Sequence, residues 1–384
     1  MGNLRWTTLL DASNGLDESK LGTIPSSHGI VCVLGAGGAV VALASTGDMR
    51  SFAAQRLGPG AEGVSDLRET AEVCEIAPAG SMFEADLMFM DASAERDPGL
   101  HDRVMRKLRV WWLATPPTAK RFNWSWTTNP GEFAEGESVI GPFLEKSGAK
   151  RHAAFLDGHF ELCRYPEELH RAPGGKACVY KQMGKCPAAC DGSEPIESYE
   201  ERLARALVFG RADAESGVAR LDAELREAAG RQAFEEAAEI QGRRDELAAE
   251  LKRGLKAVRP LGELSLVAVA TSGEKDSASV IAVDRGRWEV VGAIDAGMGE
   301  GEADRIAALA RARLDAMASM DDLGDLGVLG VVSRELMRPS RGGPMLVERS
   351  AIDGSSLLHA AGRVLRIRTP KARGSESGKQ TSDE

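Results

Sequence analysis

Residues 176–192 read KACVYKQMGKCPAACDG, and this cysteine-rich stretch is the most specific chemical signal in the chain. Together with one cysteine upstream, it places four thiols within 28 residues, at Cys163, Cys178, Cys186 and Cys190. Four thiolates in so short a segment suit a tetrahedral zinc ion or an iron–sulfur cubane. Structural zinc usually uses cysteine pairs separated by two residues, and none occurs here, so the spacing favours an iron–sulfur cluster. The alternative is a set of ordinary buried cysteines, which is what we expect of Cys32 and Cys74.

Downstream of the cysteines, between residues 198 and 256, the composition changes to Ala, Glu, Arg and Leu. Apolar residues recur there at helical spacing in two runs that are broken near Gly230, which predicts an antiparallel helical hairpin. Residues 262–298 contain three strand-like runs, LSLVAVATSG, SASVIAVDRG and RWEVVGAIDAG, and a helix is predicted in EADRIAALARARLDAMA. The polar tail from Lys371 onward predicts disorder.

Upstream of the cysteines, residues 29–44 predict a strand, a glycine turn and a second strand, followed by helices over 48–56 and 80–92. The turn contains Gly35-x-Gly37, which also occurs in dinucleotide-binding turns. That motif needs a helix opening on the glycines and an acidic residue about 20 positions further on. Gln55 and Arg56 occupy the place of the acid, so the pattern favours the hairpin. Residues 111–150 are rich in Pro, Trp and Gly and show little periodicity.

The charge balance limits the classes of partner. The 384 residues carry 48 Lys+Arg and 58 Asp+Glu, a formal charge of −10, so nucleic-acid contact has to use local basic patches. Six basic residues that could contact DNA are Arg103, Arg106, Lys107, Arg109, Lys120 and Arg121. In the sequence they interleave with four tryptophans, Trp111, Trp112, Trp124 and Trp126. Indoles can stack on exposed bases, and the alternative is that they fill a core.

Targeting signals are not evident in the sequence. The start, MGNLRWTTLLDASNG, has no sustained apolar stretch. Residues 21–47 carry no charge, yet Pro25, His28 and the glycine turn indicate short strands rather than a membrane span. We therefore expect a cytoplasmic protein without membrane contact.

The cysteine-rich stretch and the later run FEEAAEIQGRRDEL (234–247) together resemble UvrC, the nuclease subunit of the bacterial UvrABC excision-repair complex. VIGPF (139–143) and FELC (160–163) precede them in the same order. The resemblance implies a cysteine-bound [4Fe–4S] cluster, with zinc as the alternative. It also implies a UVR motif, the helical hairpin through which UvrC meets UvrB, with contacts from Phe234, Glu235, Ala237 and Ala238.

The N-terminal part resembles the GIY-YIG nuclease domain that opens UvrC, so the likeness covers about residues 20–255. The family's RNase H-like and helix-hairpin-helix domains have no expected counterpart. A GIY-YIG nuclease uses two tyrosines, an arginine and a metal-binding glutamate. The positions of these four residues carry Val31, Ala42, Phe52 and Phe89 here, none of which can hold a proton, a phosphate or a metal.

We therefore expect a multidomain α/β protein in which a small degenerate GIY-YIG-like domain precedes a cysteine-rich segment, a UVR-like hairpin and a C-terminal mixed α/β domain. The predicted segments are 1–20, 21–101, 102–197, 198–256, 257–370 and a tail of 371–384. The expected function is a non-catalytic UvrC-like accessory protein of nucleotide excision repair that binds a UvrB-like partner or DNA. Three alternatives remain open: a redox-responsive iron–sulfur DNA-binding protein, a nicotinamide enzyme, and an active endonuclease that uses Glu84, Asp86 or Asp91 with Arg50.

Overall fold

The structure is a computed structural model that describes residues 6, 8–13, 15–63, 66–116, 118, 122–133, 138–252, 257–320 and 322–367. Three four-stranded sheets organise these residues, and every strand pair recorded in them is antiparallel. Helices pack on all three sheets, which confirms the α/β class. Among the described helices, none combines the length and the apolar character needed to cross a membrane.

The first sheet contains the predicted glycine hairpin. Its strands, in the spatial order β1-β4-β2-β3, are β1 (Thr8–Asp11), β2 (Gly29–Leu34), β3 (Val40–Thr46) and β4 (Val73–Pro78). Its helices are α1 (Glu18–Thr23), α2 (Met49–Leu57), α3 (Met82–Arg96) and α4 (Pro98–Leu108). Gly37 and Gly38 have φ angles of +67° and +80°, a conformation that glycine adopts readily. The glycines lead into strand β3, so the helix that a dinucleotide-binding turn requires is not there.

The two faces of the first sheet contact different helices. Because side chains alternate along a strand, Val31 and Val33 of β2 pack with α2, whereas Ile30 and Cys32 pack with α3. Helices α2 and α3 consequently lie on opposite faces of the sheet.

The second sheet is built from the stretch with little periodicity, which we did not predict to form strands. Its strands, in the spatial order β6-β5-β7-β8, are β5 (Trp111–Thr115), β6 (Ser125–Thr127), β7 (Ser138–Phe143) and β8 (Arg259–Pro260). Between β7 and β8 the described chain forms six helices, α5 (Lys146–His159), α6 (Pro166–Leu169), α7 (Val179–Gln182), α8 (Ile196–Leu207), α9 (Arg211–Gly230) and α10 (Phe234–Glu250). The sheet packs one face on this helical segment and the other on a helix near the C-terminus.

Helices α9 and α10 form the predicted antiparallel hairpin. Leu221 and Ala228 of α9 are buried with Ile240 and Leu247 of α10. The Arg244 Nε lies 2.9 Å from the Asp222 Oδ1 across the pair. The apolar seam places the hairpin on the same core as α5 and α8.

The third sheet confirms the three predicted strand runs and adds a fourth strand. In the spatial order β11-β10-β9-β12, its strands are β9 (Ser265–Thr271), β10 (Ser277–Asp284), β11 (Arg287–Asp295) and β12 (Met345–Glu348). Its helices are α11 (Glu300–Ala318), α12 (Leu326–Met337) and α13 (Gly354–Ile367). Helices α11 and α13 cover one face of the sheet, and α12 lies on the other.

The first and third sheets share one hydrophobic core. Helix α3 contributes Phe83 and Met90 to a cluster that also contains Leu266 of β9 and Val328 of α12. The Thr271 hydroxyl donates a hydrogen bond to the carbonyl of Gly80 (2.8 Å). Since this core joins residues more than 180 positions apart, the beginning and the end of the described chain form one packed unit.

Candidate functional site

The four predicted metal-ligating cysteines are brought into one neighbourhood by short helices and turns. Cys163 follows α5, Cys178 caps the N-terminus of α7, and Cys190 lies in a 3-10 turn. The amide of Gly175 donates to the carbonyl of Cys190 (2.8 Å). A Cβ at Gly175 would lie 2.3 Å from the carbonyl oxygen of Glu168, so this close approach requires glycine.

The electrostatics of the four thiols confirm that they are neighbours. The pKa of the Cys163 thiol is raised to about 12, mainly by burial and in smaller part by repulsion from Cys186, Cys190 and Cys178. Burial is also the largest cause of the raised pKa of Cys190, followed by the charge of Asp191. The Cys163 Sγ donates to the carbonyl of Tyr165 (3.4 Å). The Cys163 and Cys190 thiols are therefore protonated at neutral pH.

The donor set suits a thiolate-bound group, whereas the present side-chain geometry does not form one. Within the described ranges, no three Cys, His, Asp or Glu side chains converge closely enough to hold a metal ion. Lys181, which lies between the cysteines in the sequence, is paired with an acid, since its Nζ lies 2.7 Å from the Asp191 Oδ2. Binding of a metal or a cluster at these cysteines stays a prediction.

The tip of the hairpin presents its predicted contact residues to solvent. Phe234 begins α10 and is 74% exposed, the largest exposed fraction among the large apolar residues that stand out from the described surface. Glu235 and Ala238 are exposed, and Ala237 is half-buried. The tip is closed by hydrogen bonds, including Ala233 N–H to the carbonyl of Ala228 (3.0 Å). The fold thus holds a phenyl ring in water on an ordered turn.

The predicted basic residues lie partly on one helix face. Arg103, Arg106 and Lys107 of α4 are exposed at i, i+3 and i+4, and Arg109 is exposed directly after the helix. Two further predicted residues, Lys120 and Arg121, lie outside the described residues.

The tryptophans belong mainly to the core, so base stacking is the wrong interpretation for two of them. Trp112 is fully buried, and Trp124 is 8% exposed. The Trp124 Nε1 donates to the Asp157 Oδ1 (2.8 Å). Trp126 is 37% exposed and has the Lys150 ammonium 5.7 Å from its ring centroid.

The four positions that would form a GIY-YIG active site do not converge. Val31, Ala42 and Phe52 belong to the apolar cluster on the α2 face of the first sheet. Phe89 is buried in the cluster on the α3 face, which includes the third sheet. Val31 and Phe89 are therefore buried among apolar side chains, whereas Ala42 and Phe52 are only partly buried.

The acidic residues of the endonuclease alternative lie in polar environments of their own. Burial raises the pKa of both Glu84 and Asp86, so neither carboxyl is fully solvated. Glu84 accepts from the Gly80 amide (2.9 Å), and Asp86 accepts from the Ser45 hydroxyl (2.6 Å). Arg50 on α2 donates to the carbonyl of Ile24 (2.7 Å). Because α2 and α3 lie on opposite faces, the arginine and the two carboxyls occupy different sides of the sheet.

A cleft between α3 and α12 was not predicted. Its volume is about 480 Å³, and its lining includes Asp86, Arg334, Glu335, Arg338 and Arg341. The signal in the sequence was the spacing of the three arginines near the end of a helix, 334, 338 and 341.

Comparison with known proteins finds similarity over part of the chain. Residues 118–209 match the family described as UvrC/Cho excinuclease, middle domain. The chain is 33% identical over 159 residues to UvrABC system protein C of Thermus thermophilus. The aligned region covers 40% of this chain and 26% of the relative. The corresponding protein of Methanosarcina mazei is 31% identical over 124 residues, which is 32% of this chain and 21% of the relative. That of Syntrophotalea carbinolica is 29% identical over 142 residues, 37% of this chain and 21% of the relative.

The middle of the chain is thus similar to the middle domain of UvrC/Cho excinucleases, and the matched residues include strands β6 and β7, helices α5 to α8 and the four cysteines. The likeness to UvrC proteins covers part of the chain. The chain spans about a quarter of the length of the Thermus relative. No solved structure matches the chain.

Proposed function

We propose that this chain is a non-catalytic, UvrC-like accessory protein of nucleotide excision repair that docks through its hairpin tip onto a UvrB-like partner. The observation that carries the proposal is the exposure of Phe234 on an ordered turn. An aromatic side chain that stays in water in the free protein is typical of a contact that is buried in a complex.

The flanking residues suit a helix-to-helix contact. Small Ala237 and Ala238 follow the phenyl ring and allow a second helix to approach closely. Glu235 and Glu236 beside them add negative charge, and Glu236 is 3.1 Å from the Arg231 Nη2. The tip therefore offers an apolar centre with a charged rim, the arrangement of a compact protein interface.

The test is the affinity for a purified UvrB protein, measured by titration calorimetry. Removing a buried phenyl ring costs about 2 kcal/mol or more, so Phe234→Ala should weaken binding at least about 30-fold. The matched control is Leu309→Ala, an exposed apolar residue on α11 far along the chain, which should leave the affinity unchanged. Equal affinities for Phe234→Ala and the unaltered protein would contradict docking through the tip.

The four cysteines are proposed to hold a [4Fe–4S] cluster, with zinc as the alternative. The support is the donor type and the mutual proximity of Cys163, Cys178, Cys186 and Cys190. Such a group, when bound, would cross-link the segment between α5 and α8 and would supply the positive charge that thiolates need. The chain's own contribution is to keep the thiols adjacent through the backbone contact at Gly175.

Nuclease chemistry is proposed to be lost. The support is that Val31, Ala42, Phe52 and Phe89 are apolar and are divided between two cores. A hydrolytic site needs polar groups that converge on one reacting phosphate, and these four side chains provide none.

A further inference from the structure

A positively charged surface of the described chain is assembled from two distant segments. On α4, Arg103, Arg106 and Lys107 form one exposed face, which Arg109 extends. At the other end of the chain, Arg334, Arg338 and Arg341 are exposed along α12 and the loop after it.

Hydrogen bonds join the two segments directly. The Arg334 guanidinium donates to the carbonyls of Lys107 (2.6 Å) and Leu108 (3.2 Å) at the end of α4. Gly330 lies so close that a Cβ there would be 2.6 Å from the carbonyl oxygen of Leu108. A cation at a helix C-terminus also interacts favourably with the helix dipole, so the contact holds the basic segments together.

The charges on this surface are largely uncompensated. Among the described residues, none of the seven basic side chains forms an ion pair with an acid. Two acids, Asp86 and Glu335, line the same cleft, but they accept hydrogen bonds from Ser45 and from the amide (2.7 Å) and hydroxyl of Ser340 rather than from these arginines. Asp102 is the exposed acid on α4 itself.

We propose that this α4–α12 surface binds the phosphodiester backbone of nucleic acid, without reading its sequence. Guanidinium groups pair with phosphate oxygens in a two-pronged geometry, and six of the seven basic residues are arginines. Because the whole chain has a charge of −10, long-range attraction cannot replace these local contacts. The inference rests on the proposed repair function for its choice of nucleic acid over an acidic peptide.

The test uses a short fluorescently labelled DNA duplex and anisotropy titrations of the full chain between ~50 and ~200 mM salt. Two variants remove two charges each, one from either segment: R338Q/R341Q and R106Q/K107Q. Arg334 is left intact because it supports α4. Each variant should lower the affinity about 50-fold near 0.1 M salt and reduce the salt slope by about 2, as expected for two lost phosphate contacts.

The matched control is R305Q/R363Q, which removes two exposed charges from α11 and α13 on the far face of the third sheet. It should bind within about twofold of the unaltered protein. A slope for R338Q/R341Q equal to that of the unaltered protein would overturn the proposal, as would displacement of the DNA by polyglutamate at equal charge concentration. If R338Q/R341Q does not fold, the salt slope of DNA binding by R106Q/K107Q tests the proposal in its place.

The proposal for the α4–α12 surface and the proposal for the hairpin tip can be refuted independently. Loss of DNA binding in R338Q/R341Q with unchanged UvrB affinity supports the α4–α12 surface. Unchanged DNA binding together with a weakened UvrB affinity in Phe234→Ala overturns the surface and leaves the docking proposal standing.

Discussion

Asp157 lies at a contact between α5 and the second sheet where its charge is costly. Its Oδ1 accepts from the Trp124 Nε1 at 2.8 Å, and Trp124 packs edge-on against Phe122 with ring centroids 5.4 Å apart. Burial raises the pKa of Asp157 from 3.8 to about 6, against the smaller opposing effects of the Trp124 hydrogen bond and the nearby charge of Arg164.

The size of the effect follows from this shift. About 2 pKa units at 1.36 kcal/mol each give about 3 kcal/mol as the upper limit for keeping the carboxylate ionised in the fold. Because the pKa is raised on folding, the protonated side chain stabilises the protein fully below about pH 4, and this contribution is lost as the pH rises through about 6. Asp157→Asn keeps an acceptor for Trp124 and carries no charge. We expect the variant to be more stable than the unaltered protein by about 1–2 kcal/mol at pH 8, within this upper limit, which already includes the attraction to Arg164.

The assay is urea unfolding followed by tryptophan fluorescence, at about pH 8 and about pH 4. The difference between Asp157→Asn and the unaltered protein should be clear at the higher pH and close to zero at the lower. Asp276→Asn in an exposed turn is the control, and it should change stability by less than about 0.5 kcal/mol at both pH values. A difference for Asp157→Asn that does not depend on pH would refute the argument from burial.

Three further predictions concern packing, the cysteines and nuclease activity. In thermal or urea unfolding, Gly330→Ala should destabilise the protein by about 1–3 kcal/mol, because its Cβ would meet the Leu108 carbonyl. The control Gly362→Ala on α13 has open space around it and should be neutral or stabilising by up to about 1 kcal/mol. Anaerobically purified protein should contain ~4 iron and ~4 sulfide per chain. The Cys186→Ser variant should lose the iron and sulfide, whereas the control Cys74→Ala should retain them. Stoichiometric zinc in place of iron would contradict the iron assignment. No magnesium-dependent nicking of damaged or branched DNA is expected, and cleavage that the double variant E84Q/D86N abolishes would show that the nuclease is active.

The parts of the fold that were predictable are those whose signal is local. The hairpin of β2 and β3, the pair α9 and α10, and the three strands β9 to β11 each follow from periodicity within one short segment. Phe234 was expected to contact a partner only because of the resemblance, and its exposure at the start of α10 is a finding of the structure.

The parts that were missed depend on distant partners. Strand β7 pairs with β8, which lies about 120 residues further along, and the short strands around Pro142 and Gly141 have no alternating pattern of their own. Trp112 and Trp124 were ambiguous for the same reason, because only the assembled sheet shows that apolar neighbours surround them. The basic surface could not be derived either, since α12 joins α4 through contacts across more than 220 positions.

The pairing of β7 with β8 also determines where the helical segment α5–α10 is attached to the second sheet. The six helices from α5 to α10 leave the second sheet at one strand and return at its neighbour, where Gly141 lies opposite Arg259. Adjacent strands are about 4.8 Å apart, so both ends of this helical segment are held next to each other at the β7–β8 pair. A partner that pulls on the hairpin therefore loads this strand pair together with the core that the helical segment shares with the second sheet.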